Sequence, residues 1–297
     1  MRGRTTLLAT VTAAALALAA CGSDSDSGTG SGPDPEKVDT SEFEAGSTMA
    51  RLAKAGSIKV GTKFDQPGFG FKGLSDKPEG FDVEIAKVIA ANLGIAEDKI
   101  QWVETPSKIR EESIEQGNVD MVVATYTIND ERKKRISFAG PYYVAGQQLM
   151  VASANDTITG PQDLKANPDQ KVCSVTGSTP GEQIKKYLAN DSQLVLFDIY
   201  DKCADALRNG QVQVVTTDNV ILLGFVSESD GAFKLVGEQF TEEPYGIGVK
   251  KGDTEFCEFI NTTLKDNEEA YNDAWSSTAG EVEGAEAPTL PEADACQ

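Results

Sequence analysis

The chain has 297 residues, long enough for one large domain or two ordinary ones, and its 39% hydrophobic, 25% charged composition builds a packed core. Lys and Arg number 27 against 47 Asp and Glu, and a net charge of −20 argues against nucleic acid or an anionic membrane surface as partner. Histidine is absent, which excludes Ser-His-Asp and Cys-His catalysis, His-ligated metal and imidazole switching.

Met1 to Arg4 is basic and Leu7 to Ala20 is apolar apart from Thr10 and Thr12, the outline of a secretory signal over residues 1–20. The run is too short and alanine-rich for a stable span of about 20 residues. Its expected cut lies in Leu18-Ala19-Ala20-Cys21-Gly22, which resembles the lipobox of bacterial lipoproteins. Cys21 would then carry a diacylglyceryl group and anchor the protein to the outer face of the cell membrane. Cleavage removes two arginines and no acid, leaving 25 basic against 47 acidic residues and a net charge of −22. Residues 21–40 are rich in Ser, Gly, Asp and Pro and form the expected flexible tether.

Beyond it, strand and helix signals alternate. Ile58 to Gly61 predicts a strand, and Phe81, Ile85, Val88 and Ile89 recur at helical spacing until Gly94. A strand at Ile100 to Val103, a helix at Ile109 to Gln116 and a buried strand at Val119 to Ala124 follow. The order resumes with strand Lys171 to Val175, helix Gly181 to Leu188, strand Leu194 to Phe197, helix Lys202 to Asn209 and strand Val212 to Thr216. Such alternation predicts an α/β protein with mainly parallel central sheets. Gly117-Asn118-Val119-Asp120-Met121-Val122 is echoed by Gly210-Gln211-Val212-Gln213-Val214-Val215, a weak repeat. If real, it makes Thr125 and Asp218 equivalent positions past strand ends in two related lobes, where open parallel sheets bind ligands.

Four further cysteines, Cys173, Cys203, Cys257 and Cys296, form an even set in an exported chain, so disulfides are expected. Three connectivities are possible. Cys173 and Cys203 fall in one predicted lobe while Cys257 and Cys296 bracket the C-terminal segment, which favours 173–203 with 257–296. No CxxC occurs, and neither metal nor cofactor is expected.

Gly80-Phe81-Asp82-Val83-Glu84-Ile85-Ala86 and Val123 to Arg132 resemble the two signatures of the polar amino-acid solute-binding proteins of ABC importers, bacterial family 3. The resemblance spans roughly Ser57 to Trp275, and Gly61 to Pro67 with Glu104 to Ser107 is most similar to actinobacterial glutamate-binding lipoproteins. It implies a two-lobed, type II periplasmic-binding fold with the cleft between lobes. Residues 41–150 form lobe one, 151–244 lobe two, 245–275 the return to lobe one and 276–297 an acidic tail tied by a disulfide. Crossings are expected near Met150 to Ala152 and Glu243 to Gly246, with a C-terminal helix over about Thr254 to Ala274.

The resemblance also implies ligand roles. Arg132 takes the place of the arginine that clamps the α-carboxylate, a bidentate task for a planar guanidinium. By itself it would pass for a solvated charge in Asp130-Glu131-Arg132-Lys133-Lys134-Arg135. Thr127 adds a hydroxyl and an N–H to that carboxylate, and Ser178 and Thr179 contribute from the other lobe. Thr125 offers a carbonyl and Asp218 a carboxylate to the α-ammonium. Lys63 and Arg110 stand where relatives hold a distal carboxylate. The expected protein is therefore a monomer that captures glutamate, or else glutamine or aspartate, and delivers it to an ABC permease. An enzyme such as a cyclohexadienyl dehydratase would need a further acid or base in the cleft, and Glu104 is the nearest candidate.

Overall fold

The computed structural model describes residues 34–297; the expected signal segment and Cys21 lie outside them. The first lobe begins with α1 (Thr48–Ala55), β1 (Ile58–Thr62), the short hairpin β2 (Asp65–Gln66) and β3 (Gly70–Phe71), and α2 (Phe81–Asn92). It continues through β4 (Ile100–Glu104), α3 (Arg110–Glu115), β5 (Met121–Val122), α4 (Asp130–Lys133) and β6 (Ser137–Ala145). The second lobe holds β7 (Gln147–Ala152), β8 (Val172–Val175), α5 (Thr179–Gln183), β9 (Leu194–Phe197), α6 (Tyr200–Arg208), β10 (Val214–Asp218), α7 (Asn219–Ser227) and β11 (Phe233–Val236). The chain then returns through β12 (Glu243–Val249), α8 (Thr254–Asp266) and α9 (Glu268–Ser276).

Each lobe is built on a five-stranded sheet, ordered β4-β1-β5-β12-β6 in the first and β11-β7-β10-β8-β9 in the second. The sheets are mixed rather than mainly parallel. β1 runs parallel to β4 and β5, and β8 parallel to β9 and β10, as their helical crossovers require. The other ladders are antiparallel, because β6 runs on into β7 across Gly146 alone and β12 returns beside β6. These linking strands had no distinct sequence signal.

Ladder partners also move both boundaries. All of β7 pairs within the second sheet, so the first crossing lies at Gly146 and not at Met150 to Ala152. Glu243 pairs with Ala145, so the return into lobe one is complete two residues before the expected 245. Apolar strand residues look alike in either sheet, and only register decides between them.

The expected single C-terminal helix is two. Asn267, at φ −118° and ψ 43°, ends α8 and begins α9, and its side chain donates to the Thr263 carbonyl at 2.8 Å. Both helices bury apolar faces on lobe one, through Phe256, Ile260 and Leu264 and through Tyr271 and Trp275. Leu290 and Cys296 of the tail pack on the same core, and the Asp294 N–H donates to the Gly140 carbonyl at 2.7 Å.

Cys173 in β8 is bonded to Cys203 on the face of α6 that covers it, and Cys257 in α8 to Cys296 in the tail. Non-reducing peptide mapping of protein secreted into an oxidising compartment should recover these two linkages. Replacing both members of either pair by serine should cost about 2–4 kcal/mol in denaturant melts. Free thiols, or a link between lobes, would refute the pairing.

Candidate functional site

The repeated helix-glycine-strand unit is the same structure in both lobes. Gly117 and Gly210 each sit at φ +69°, a conformation glycine adopts at no steric cost after a helix end. After them the Asn118 N–H donates to the Ser113 carbonyl and the Gln211 N–H to that of Ala206, at 2.9 and 2.8 Å. The side chains of Asp120 and Gln213 then accept the N–H groups of Lys59 and Lys171, both at 2.9 Å. Two like units thus aim the ends of β5 and β10 at a common cleft.

Thr125 lies just past β5 at φ +43°, a strained value for a residue with a branched Cβ. Asp82 of α2 holds it there. One carboxylate oxygen accepts the Thr125 N–H at 2.8 Å and the other the Tyr142 hydroxyl at 2.5 Å. The acid of the first signature is therefore a brace for the corner of the cleft, a role the sequence did not reveal.

The lobes touch across the cleft. Thr127 and Thr179 hydroxyls lie 3.2 Å apart, Arg132 Nη2 donates to the Gly177 carbonyl at 3.1 Å, and the Tyr245 hydroxyl donates to Asp218 Oδ2 at 2.6 Å. Between them is a small cavity of about 10 Å³ with a largely polar wall. Six expected residues reach that wall: Arg110, Thr125 and Thr127 from lobe one, and Ser178, Thr179 and Asp218 from lobe two. Arg132 and Lys63 stand behind it, Arg132 donating to the Thr127 carbonyl at 2.6 Å and Lys63 lying 5.5 Å over the ring of Tyr200.

The charges pair selectively. Arg132 Nε meets Glu111 at 3.2 Å, and Lys63 Nζ meets Asp65 at 3.1 Å. Arg110 is 3% exposed, donates through Nη1 to the Ala124 carbonyl at 2.7 Å and stacks on the Tyr126 ring at 4.1 Å. It has no carboxylate partner among the described residues, and its Nε finds no acceptor. Burial, and then the Arg110 charge, pulls the Arg132 guanidinium down to about 10, so it stays protonated at neutral pH. Opposite, Asp218 is buried with Oδ1 unpartnered. Within one small cavity the protein thus keeps an unpaired cation and a carboxyl oxygen without a partner, two groups that the carboxylate and ammonium of an amino acid can answer.

The hydroxyls behave less simply. Ser178 Oγ donates to the Val175 carbonyl and accepts the Gly181 N–H, so it serves its own turn. Thr179 Oγ1 donates to Glu243 Oε2 at 2.7 Å, the buried acid at the return crossing. Gln66, Ser107, Tyr200 and Thr217 complete the polar wall. Gln66 accepts from the Thr125 hydroxyl at 3.0 Å. Neither Gln66 nor Tyr200 carries a local sequence mark.

Burial raises two carboxyls at this site. Asp82 is pushed up to about 7, against its two donors, and Asp218 to about 8 by burial and then by the Glu243 charge. A carboxyl raised above its unfolded value of 3.8 contributes stability below that value, and loses it as pH rises through the folded one. The melting midpoint of the unliganded protein should therefore fall between about pH 5 and pH 9, and Asp218→Asn should flatten the upper part of that decline. A midpoint that rises over the interval would contradict the assignment.

A polar cavity closed between two α/β lobes that share two crossing strands defines a type II periplasmic binding protein. More particularly, the chain belongs to the bacterial extracellular solute-binding proteins, family 3, whose profile matches residues 58–273. It is 38% identical over 231 residues to the glutamate-binding protein GluB of Corynebacterium efficiens, covering 75% of this chain and 78% of that one. Identity to the ABC transporter glutamine-binding protein GlnH of Bacillus subtilis is also 38%, over 76% of this chain and 82% of that one. Among solved structures, an ancestral arginine-binding protein bound to glutamine superposes with a TM-score of 0.69 at 35% identity, over 75% of this chain and 97% of that one. An ancestral amino acid-binding protein, a precursor of cyclohexadienyl dehydratase, gives 0.70 at 29% identity over 78% and 99%. The protein is thus a solute-binding component of amino-acid ABC transport.

Proposed function

We propose that the protein captures L-glutamate between its lobes and delivers it to an ABC permease from a lipid anchor at Cys21. The observation that carries the glutamate reading is Arg110, a buried guanidinium facing the cavity without a carboxylate of its own. Lys63 and Arg132 already have Asp65 and Glu111, so Arg110 supplies the excess positive charge that a second ligand carboxylate would neutralise. Arg132 would hold the α-carboxylate together with Thr127, and Asp218 would take the α-ammonium through its unpartnered oxygen. Lys63 would act on the distal carboxylate from behind Tyr200. GluB, which is named for glutamate, supports the same choice. The global charge, 25 basic minus 47 acidic residues or −22 after cleavage, opposes an anionic ligand only weakly, since a Debye length near 8 Å at physiological salt screens it.

Calorimetric titration should give glutamate an advantage over glutamine of roughly 10²-fold or more. Arg110→Met should weaken glutamate by about 2–5 kcal/mol while affecting glutamine far less. Arg132→Met should abolish binding of both, because it removes the grip on the shared α-carboxylate. A wild-type preference for glutamine or aspartate, or an Arg110→Met variant with an unchanged ratio, would overturn the glutamate assignment.

Anchoring is checked separately. Cys21→Ala should block lipid attachment and either stall processing or release the protein into the medium. A variant that is cleaved normally and still sediments with membranes would require another anchor. Among the described residues no helix is long and apolar enough to cross a membrane.

A further inference from the structure

The hairpin β2–β3 leaves the first lobe and reaches helices α6 and α7 of the second. Asp65, its first residue, is 2% exposed. Oδ2 accepts the Tyr200 N–H at 2.6 Å, and Oδ1 lies 3.1 Å from Lys63 Nζ. Tyr200 opens α6, a nine-residue helix, and Ile199 before it has no side chain able to cap the exposed N–H groups. An N-cap carboxylate ordinarily comes from the adjoining residue of the same helix. Here it comes from 135 positions away, in the other lobe, and its charge also suits the positive end of the helix dipole.

The second lobe provides a matching seat. Gly224 lies inside α7, where glycine costs about 1 kcal/mol relative to alanine. A Cβ at that position would stand 2.5 Å from the carbonyl oxygen of Pro67, at the hairpin tip, closer than real contacts allow. Glycine at 224 therefore lets the hairpin dock. One group opposes the arrangement: Asp201, in the first turn of α6, is pushed up to about 7 by burial and then by the Asp65 charge.

We propose that Asp65 is a cross-lobe cap, held in place by Lys63, whose bond to the Tyr200 N–H forms on closure and slows release of the captured ligand. Tyr200 also lines the cavity, so the same bond fixes part of the wall against the ligand. The inference rests on two-lobe capture of an amino acid and not on which amino acid is captured.

The test compares wild-type protein with Asp65→Ala, Asp65→Asn and Gly224→Ala. An equimolar mixture of the twenty amino acids serves as probe for thermal shift and for amide exchange at Tyr200, and the ligand found in titration for stopped-flow kinetics. In wild type the mixture should raise the melting midpoint and protect the Tyr200 amide. Asp65→Ala should abolish that protection and speed dissociation about tenfold, with association unchanged within about twofold. Asp65→Asn keeps an acceptor oxygen and should retain most of the protection. Asp65→Ala leaves Lys63 unpaired and could misfold, whereas Gly224→Ala keeps both residues and improves the helix. Its unliganded midpoint should equal or exceed that of wild type, while its ligand-induced rise shrinks. Wild-type dissociation rates in Asp65→Ala and Gly224→Ala, or Tyr200 protection equal with and without the mixture, would overturn the cap. No shift in wild type with the mixture would instead overturn the capture on which the cap depends.

Discussion

Removing an ion from water costs several kcal/mol unless a counter-charge and hydrogen bonds go with it, and this cleft buries three cations, two of them against one tyrosine ring. Their pairing organises the site. Glu111 comes from the turn of α3 that follows Arg110, and Asp65 from the hairpin beside Lys63, so two of the cations are neutralised by residues on neighbouring backbone. The Tyr126 ring lies under Arg110 at 4.1 Å and under Arg132 at 5.0 Å, replacing part of their lost hydration by a π face. Arg110 alone keeps its charge uncompensated, and the cavity is placed where a ligand can answer it.

The same economy of placement explains why one face of the site is rigid. Asp82 turns Thr125 through an unfavourable backbone angle and is itself fixed by the hydroxyl of Tyr142, which is packed among Phe81 and Tyr245. Aromatic side chains from α2, β6, β12 and α9 form one continuous group around Phe69, Tyr143 and Trp275. Lobe one therefore presents its ligand groups from a tightly packed core, and the adjustable contacts are those to lobe two.

Much of this was legible in the residues. Alternating apolar spacing marked β1, α2, β4, β8, β9 and α6 to within two residues, because each carries its own period and stop. The glycine echo at 117 and 210 proved to be one turn built twice, with Asp120 and Gln213 in the same role. The strands β6, β7, β11 and β12 were missed, since their pairing is set by partners between about 60 and 130 residues distant. The cross-lobe contacts were equally invisible. Tyr200, Glu243 and Asp65 acquire meaning only when the lobes meet, and no local pattern encodes that meeting. The break at Asn267 was hidden by helical spacing that continues on both sides of it.

The first and last segments of the described residues share a lobe. Pro35–Lys37 lies against α2, and at the other terminus the Ser137 hydroxyl bonds to the Gln297 carbonyl at the start of β6. From Ser137 to the crossing at Gly146 the strand spans nine residues, about 30 Å of extended chain. Lobe one is thus the block that carries both of these segments, the C-terminal one a strand length from Gly146. The second lobe is joined to that block only through the crossing at 146 and the return before 243. The second lobe is thus a lever carried on two short crossings, one of them a single glycine.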